Sequence, residues 1–288
     1  MYLADNWKDF AVIDTGDGEK LERWGDVLLR RPDPQTIWPK RDPALWERAD
    51  ARYFRSERGG GEWRFARRLP EKWTLTYGPL RFLVHPTGFK HTGLFPEQAV
   101  NWDWMRERIA KRAARGESTA VLNLFAYTGG ATAACASAGA TVCHVDAAKG
   151  MTQWARENAG RCGLPETAVR WIVDDCRKFV RREIKRGNRY DAVIMDPPSY
   201  GRGPGGEVWK LEECAFDLVQ EAAQLLSDHP AFFLFNGYTT GLQPAVLANL
   251  LSFAVCGRYG GQVEAGEVCL PVRAGGVLPC GASGRWTP

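Results

Sequence analysis

The spacing of apolar and polar positions changes near residue 119. To about residue 80, short apolar stretches are broken by turn signals at Asp14-Thr-Gly-Asp-Gly18, Arg31-Pro-Asp-Pro34, Gly59-Gly-Gly61 and Tyr77-Gly-Pro79, which predicts an irregular β-rich region. A helix follows over about 95–115, with its basic residues at the C-terminal end, where they complement the helix dipole. From residue 119 strands and helices alternate. Strands are predicted over 120–125, 141–145, 168–173, from 191 to the acid at 196, and over 231–235, and helices begin near 131, 149, 176, 211 and 244. Two further strands are predicted over 261–270 and 276–280. This alternation specifies an α/β fold, a mostly parallel, doubly wound sheet with helices on both faces. The division expected is a small Trp-containing β-rich domain over 1–80 and a strand–helix domain over 81–288.

Composition changes this picture little. The chain is 44% hydrophobic and 25% charged, with a net charge of only +4, as in ordinary globular proteins. Basic residues bunch at Arg64–Arg68, Arg106–Arg115 and Arg177–Arg189, which reads as solvated helix faces or as a surface for a polyanion. Six of the twelve tryptophans (Trp7, Trp24, Trp38, Trp46, Trp63, Trp73) lie in the N-terminal region, as core and cover of a small β-domain or as platforms for bases. The eight cysteines show no zinc-ligand spacing, no metal site is expected, and no secretory signal precedes them, so reduced thiols of a cytoplasmic protein are expected. Residues 118–145 lack Asp, Glu, Lys and Arg, but Asn123, Thr128, Gly129 and Gly130 divide them into strand, turn, helix and strand rather than a membrane span. Oligomeric state is not legible.

The candidate chemistry lies at strand ends. Phe125-Ala-Tyr127-Thr128-Gly129-Gly130 follows the first strand, and its glycines permit a sharp turn and close approach of a ligand at a helix N-terminus. It is neither the Gly-x-Gly-x-x-Gly of dinucleotide enzymes nor a P-loop. Asp146 ends the next strand, where a carboxylate accepts from both hydroxyls of a ribose. Ala147 follows it, Asp174 and Asp175 end the third strand as candidates for an adenine amino group, and Asp196 ends the fourth before Pro197 and Pro198. Acids at three successive strand ends make a cleft for a cationic nucleoside without phosphate, which fits S-adenosylmethionine. Helix capping is the alternative for one of these acids.

Leu122-Asn-Leu-Phe-Ala-Tyr-Thr-Gly-Gly130, Val145-Asp146 and Asp196-Pro-Pro-Ser199 resemble the bacterial class I methyltransferases related to the large-subunit ribosomal RNA cytosine-C5 and guanine-N7 enzymes. Phe89-Lys-His-Thr-Gly-Leu-Phe-Pro-Glu-Gln98 resembles the Lys-Thr-Gly-x-x-x-x-Gln segment that precedes their catalytic domain. The resemblance, from about residue 85 onward, implies a Rossmann-like methyltransferase sheet with Asp146 on the ribose. It implies Gln98 closing the cofactor pocket and Asp196-Pro-Pro beside the transferred methyl. RNA is the partner it implies, with a Trp-rich β-region where such relatives carry a PUA-type module. The glycine-rich loop Gly201–Gly206 is expected to be mobile and to order on substrate binding.

The acceptor atom is open between two chemistries. An Asp-Pro-Pro loop with Tyr200 to stack on a flat base suits an amine or ring nitrogen. Pyrimidine C5 methylation needs a cysteine nucleophile, for which Cys280 is the candidate, against a structural thiol in a closing strand. A protein or small-molecule acceptor is the alternative substrate class. A nicotinamide-dependent oxidoreductase and a noncatalytic RNA-binding protein on the same fold are more distant readings.

Overall fold

The computed structural model describes residues 1–56, 60–202, 208–239 and 241–288, which fall into two compact units. One comprises residues 1–2, 101–268 and 281–288, the other 3–100 and 269–280.

The larger unit is built on the predicted alternation. Its strands are β1 (Ala120–Leu124), β2 (Thr141–Asp146), β3 (Val169–Val173), β4 (Ala192–Met195), β5 (Phe232–Gly237), β6 (Gln262–Pro271) and β7 (Val277–Thr287). They lie in the order β6-β7-β5-β4-β1-β2-β3, and residues 269–280 of β6, β7 and their connection count with the other unit. Strands β1 to β5 are mutually parallel, and β7 runs antiparallel to β5. The order reverses at β1, flanked by β4 and β2, so the crevice outside the carboxyl ends of these strands is where such a sheet binds ligands. β7 is longer than its predicted five residues because its pairing with β5 continues through Ala282 to Trp286.

The helices are α1 (Ala99–Ala113), α2 (Gly130–Ser137), α3 (Lys149–Arg161), α4 (Cys176–Arg186), α5 (Leu211–Ala223) and α6 (Pro244–Leu251). Alternate residues of the strands face opposite layers. Leu122, Leu124, Val145, Val193, Met195, Phe233 and Phe235 share one core with Phe179 and Val180 of α4, Leu218 of α5 and Leu247 of α6. On the other face Thr132 of α2 bonds Asn123 and His144, each at 2.9 Å, and Trp104 of α1 stacks edge-on to Phe232. Burial, and then Arg156, holds the His144 imidazole down at about 3, so it stays neutral. The predicted helix over 95–115 opens as a 3-10 turn, Pro96–Gln98, before α1. Among the described residues no helix is long and apolar enough to cross a membrane.

The smaller unit carries a five-stranded sheet, in order Phe10–Gly16, Glu19–Trp24, Val27–Pro32, Ala51–Arg55 and Gly61–Phe65, and the hairpin Trp73–Tyr77/Leu80–Val84. It extends to Val100, not to residue 80, because that hairpin packs into it: Trp73 Nε1 donates to Trp24 O at 2.9 Å, and Tyr77 stacks on Trp7. Trp7 in turn bonds Pro96 O at 2.9 Å. The N-terminal tryptophans are core and cover. Trp24 and Trp46 are buried, Trp63 packs on Tyr53, and Trp38 bonds Thr15.

One ion pair is embedded in this unit. Arg31 donates Nε and a terminal nitrogen to Glu22 at 2.6 and 2.8 Å, with Lys20 3.6 Å from the same carboxylate. Burial alone would raise the Glu22 pKa, but Arg31 and Lys20 outweigh it and hold the carboxyl below its ordinary range. Glu22→Ala leaves Arg31 without its buried acid, while Lys20 keeps Asp33 at 3.2 Å, and is expected to destabilise the protein by about 3–5 kcal/mol, read by urea unfolding. A loss under about 1 kcal/mol would mean the pair is solvated.

Candidate active site

The turn after β1 is backbone-strained. Phe125 and Tyr127 have φ of 56° and 50°, and Gly129 of 82°. Left-handed conformations at non-glycine residues persist only when neighbours enforce them. Here the Phe125 amide donates to Cys176 Sγ at 3.2 Å, the Ala126 amide to Val145 O at 3.1 Å, and the Tyr127 amide to Asp146 Oδ2 at 2.8 Å. Asn158 of α3 donates to the carbonyl of buried Thr128 at 2.8 Å. A Cβ on Gly129 would come within 2.9 Å of the Ala155 side chain, and one on Gly130 within 2.8 Å of Trp102. Gly129 therefore requires glycine for space as well as for its left-handed φ, and Gly130 for space.

Asp146 is the clamp of this turn. Besides Tyr127, its Oδ1 accepts the Ala148 amide at 2.8 Å, while Ala147 is exposed. Burial raises the Asp146 carboxyl above its ordinary value, and the two amides oppose that rise. Each oxygen keeps a second lone pair for a donor from a ligand.

The third-strand acids take separate roles. Asp175 caps α4, its carboxylate accepting the Lys178 amide at 2.8 Å, and so is the capping acid among the candidates. Asp174 pairs with Arg182, and its amide donates to Asp146 O at 3.1 Å, which ties it to the end of β2.

Asp196 follows β4, and its amide continues the ladder to Leu124 O at 3.4 Å. Pro197 is buried, Pro198 is exposed, and Tyr200 stands 52% exposed. Tyr200–Arg202 pairs with Val208–Lys210 as a small hairpin; residues 203–206 of the glycine-rich loop lie outside the described residues. Trp209 joins the two candidate loops. Its Nε1 donates to Pro198 O at 2.7 Å and its ring lies 5.8 Å from that of Phe125. Sequence reasoning missed Trp209; an aromatic closing a glycine-rich tract just before a helix was its only signal.

Gln98 and Cys280 belong to the other unit. Gln98 is buried in the 3-10 turn, its amide on Phe95 O at 3.1 Å. The Cys280 thiol lies 3.5 Å from Leu278 O, and burial, reinforced by Glu97 and opposed by Lys20, pushes it well above the usual thiol range.

The basic runs are largely neutralised from within. Arg177 and Arg181 share Glu221, Arg186 pairs with Glu183, Lys111 with Glu107, Arg112 and Arg115 with Glu117, Arg64 with Glu62 and Arg67 with Asp50. Among the described residues Lys178, Lys185 and Arg189 make no ion pair.

A doubly wound sheet with a strained glycine turn, a clamped acid on the next strand and an acid before two prolines defines a nucleoside-dependent transferase. The chain belongs to the S-adenosylmethionine-dependent methyltransferases, whose family model matches residues 49–221. A solved S-adenosylmethionine-dependent methyltransferase from Agrobacterium tumefaciens superimposes with a TM-score of 0.93 at 35% identity, covering 99% of this chain and 93% of that one. SMU.776, solved with SAH, shares the fold at a TM-score of 0.72 and 17% identity, over 98% of this chain and 76% of its own. The ribosomal RNA large subunit methyltransferase K/L of Shewanella frigidimarina is 28% identical over 231 residues, which is 77% of this chain but 29% of that protein. The chain thus spans less than a third of that curated relative. The family match displaces the nicotinamide reading.

Proposed function

We propose that the chain transfers the methyl group of S-adenosylmethionine to a base in RNA. The observation that carries the cofactor site is the Asp146 clamp on the left-handed Phe125–Gly129 turn. A carboxylate already holding two amides, beside a turn with no room for a Cβ, fits a ribose diol. In this reading Asp146 holds the ribose, Asp174 lies toward the adenine amino group, and Phe125, Tyr127, Thr128, Gly129 and Gly130 form the floor. The cofactor supplies an electrophilic methyl on a sulfonium. Asp196 and the Pro197–Pro198 backbone accept from the acceptor's N–H groups, and Tyr200 stacks on the base. Orientation and exclusion of water, rather than strong acid–base chemistry, lower the barrier. Cys280 stays protonated and outside the reaction.

The RNA acceptor is supported by the name of the Shewanella relative and by the exposed ring of Tyr200. A protein or small-molecule acceptor is the second reading, favoured by the self-paired basic runs. Labelled methyl transfer to unmodified ribosomal RNA, wild type beside Cys280→Ala, tests both. Label in one nucleotide, retained in the variant, is expected. No label in RNA with cofactor binding intact would transfer the proposal to another acceptor, and loss in the variant would restore Cys280 as nucleophile.

A pH dependence follows from the clamp. The ribose hydroxyls donate to the Asp146 carboxylate, so a proton on it competes with the cofactor. Because burial raises this carboxyl, affinity is expected to start falling at a pH above the ordinary aspartate value of 3.8, and then about tenfold per pH unit. Calorimetric titration between pH 4 and 8 checks this. A flat profile over that range would remove the charged carboxylate from binding.

A further inference from the structure

Asn236, buried near the carboxyl end of β5, has its amide orientation set from a distance. Arg285 of β7 donates Nε and a terminal nitrogen to Asn101 Oδ1, at 3.0 and 2.6 Å. A guanidinium has donors and no acceptor, so the Asn101 oxygen must face it and the Asn101 nitrogen must face away. That nitrogen donates to Asn236 Oδ1 at 3.2 Å and to Ser283 Oγ at 2.9 Å, and the Ser283 hydroxyl donates to the same Asn236 oxygen at 2.6 Å. With its oxygen engaged by two donors, the Asn236 NH2 group is turned away from the relay. The guanidinium is held in place, 3.8 Å over the Tyr2 ring and 5.0 Å from that of Trp104.

Register places this amide next to the acid of the methyl-transfer site. Met195 and Phe235 are partners on β4 and β5, and both face the core shared with α4, α5 and α6. One residue further, Asp196 and Asn236 alternate to the opposite face, the one on which α1 carries Asn101. The two strands are neighbours, about 4.8 Å apart. We propose that the Arg285–Asn101–Asn236 relay aims the Asn236 NH2 group at the Asp196 carboxylate, making Asn236 a positioning residue that fixes which carboxylate oxygen meets the acceptor. The value of Asp196 to the reaction rests on the function proposed above; the relay itself does not.

The test reads the carboxylate directly. In protein labelled with carboxyl-13C aspartate, the Asp196 signal is assigned by its loss in Asp196→Asn and followed through a pH titration. Asn236→Ala removes a donor to the ionised form, and the Asp196 midpoint is expected to rise by about one pH unit. Arg285→Met leaves the Asn101 amide free to turn and is expected to shift the midpoint in the same direction by less. Thermal unfolding and calorimetric S-adenosylmethionine titration accompany both variants, with cofactor affinity expected within about twofold of wild type. An Asp196 midpoint unchanged in either folded variant overturns the proposal. So does a loss of cofactor affinity that tracks a loss of thermal stability without moving the midpoint. Should wild type fail to methylate RNA while the midpoint shifts as expected, the acceptor reading falls and the relay stands.

Discussion

Replacing Asp146 by alanine is expected to lower affinity for S-adenosylmethionine by on the order of a thousandfold. Two hydroxyl-to-carboxylate hydrogen bonds of a ribose together contribute roughly 4 kcal/mol, and every 1.4 kcal/mol is a factor of about ten. The loss has a second component. Asp146 also accepts the Tyr127 and Ala148 amides, and without it the left-handed Tyr127 is released from one of its restraints. The fold itself is expected to survive, since β2 lies between β1 and β3 and keeps both ladders. Calorimetric titration of a variant with unchanged circular dichroism reads the effect. An affinity within about threefold of wild type would eliminate the ribose role.

Asp196→Ala is expected to do the opposite: to spare the cofactor affinity and lower turnover by on the order of a hundredfold, the usual scale for a positioned proton acceptor. The double proline would keep its place, since Pro198 O accepts from Trp209 and Ser199 O from Leu211, bonds that do not involve the Asp196 side chain. What disappears is the group that accepts from the acceptor nitrogen as the methyl arrives. Single-turnover transfer to the RNA acceptor, beside a cofactor titration, separates the two steps. Undiminished transfer would reduce Asp-Pro-Pro to a turn.

The strand–helix half of the fold was legible because each element carries its own period and its own stop. β4 reads as an unbroken apolar run, since helices cover both its faces, and Asp196 with two prolines ends it. A sharp turn after β1 was legible through Gly129 and Gly130, yet Phe125 and Tyr127, left-handed like Gly129, carried no signal. Their conformation is imposed by partners 19 and 51 residues away, Asp146 and Cys176. Asp175 looked like Asp174 in sequence, but Asp175 caps the next helix through the Lys178 amide while Asp174 pairs with Arg182. The basic runs left two readings open because part of their neutralisation is out of sight in the sequence: Glu221, which pairs with Arg177 and Arg181, lies on another helix. Trp209 was missed because its role exists only once the proline loop and the turn after β1 are brought together.

The smaller unit is discontinuous in sequence, and that has a consequence for its biogenesis. Two of its segments bond residues far along the chain: Arg273 and Ala274 donate to the carbonyls of Val12 and Ile13, and Ala4 donates to the carbonyl of Cys269. A ribosome releases residues 3–100 long before residues 269–280 exist as polypeptide. The N-terminal segment must therefore wait through most of translation with one sheet edge unpaired, open to pairing with other chains. This unit is finished only after residues 269–280 have been made, and a fragment ending at residue 100 would lack the partners of Val12 and Ile13 however well its local sequence folds.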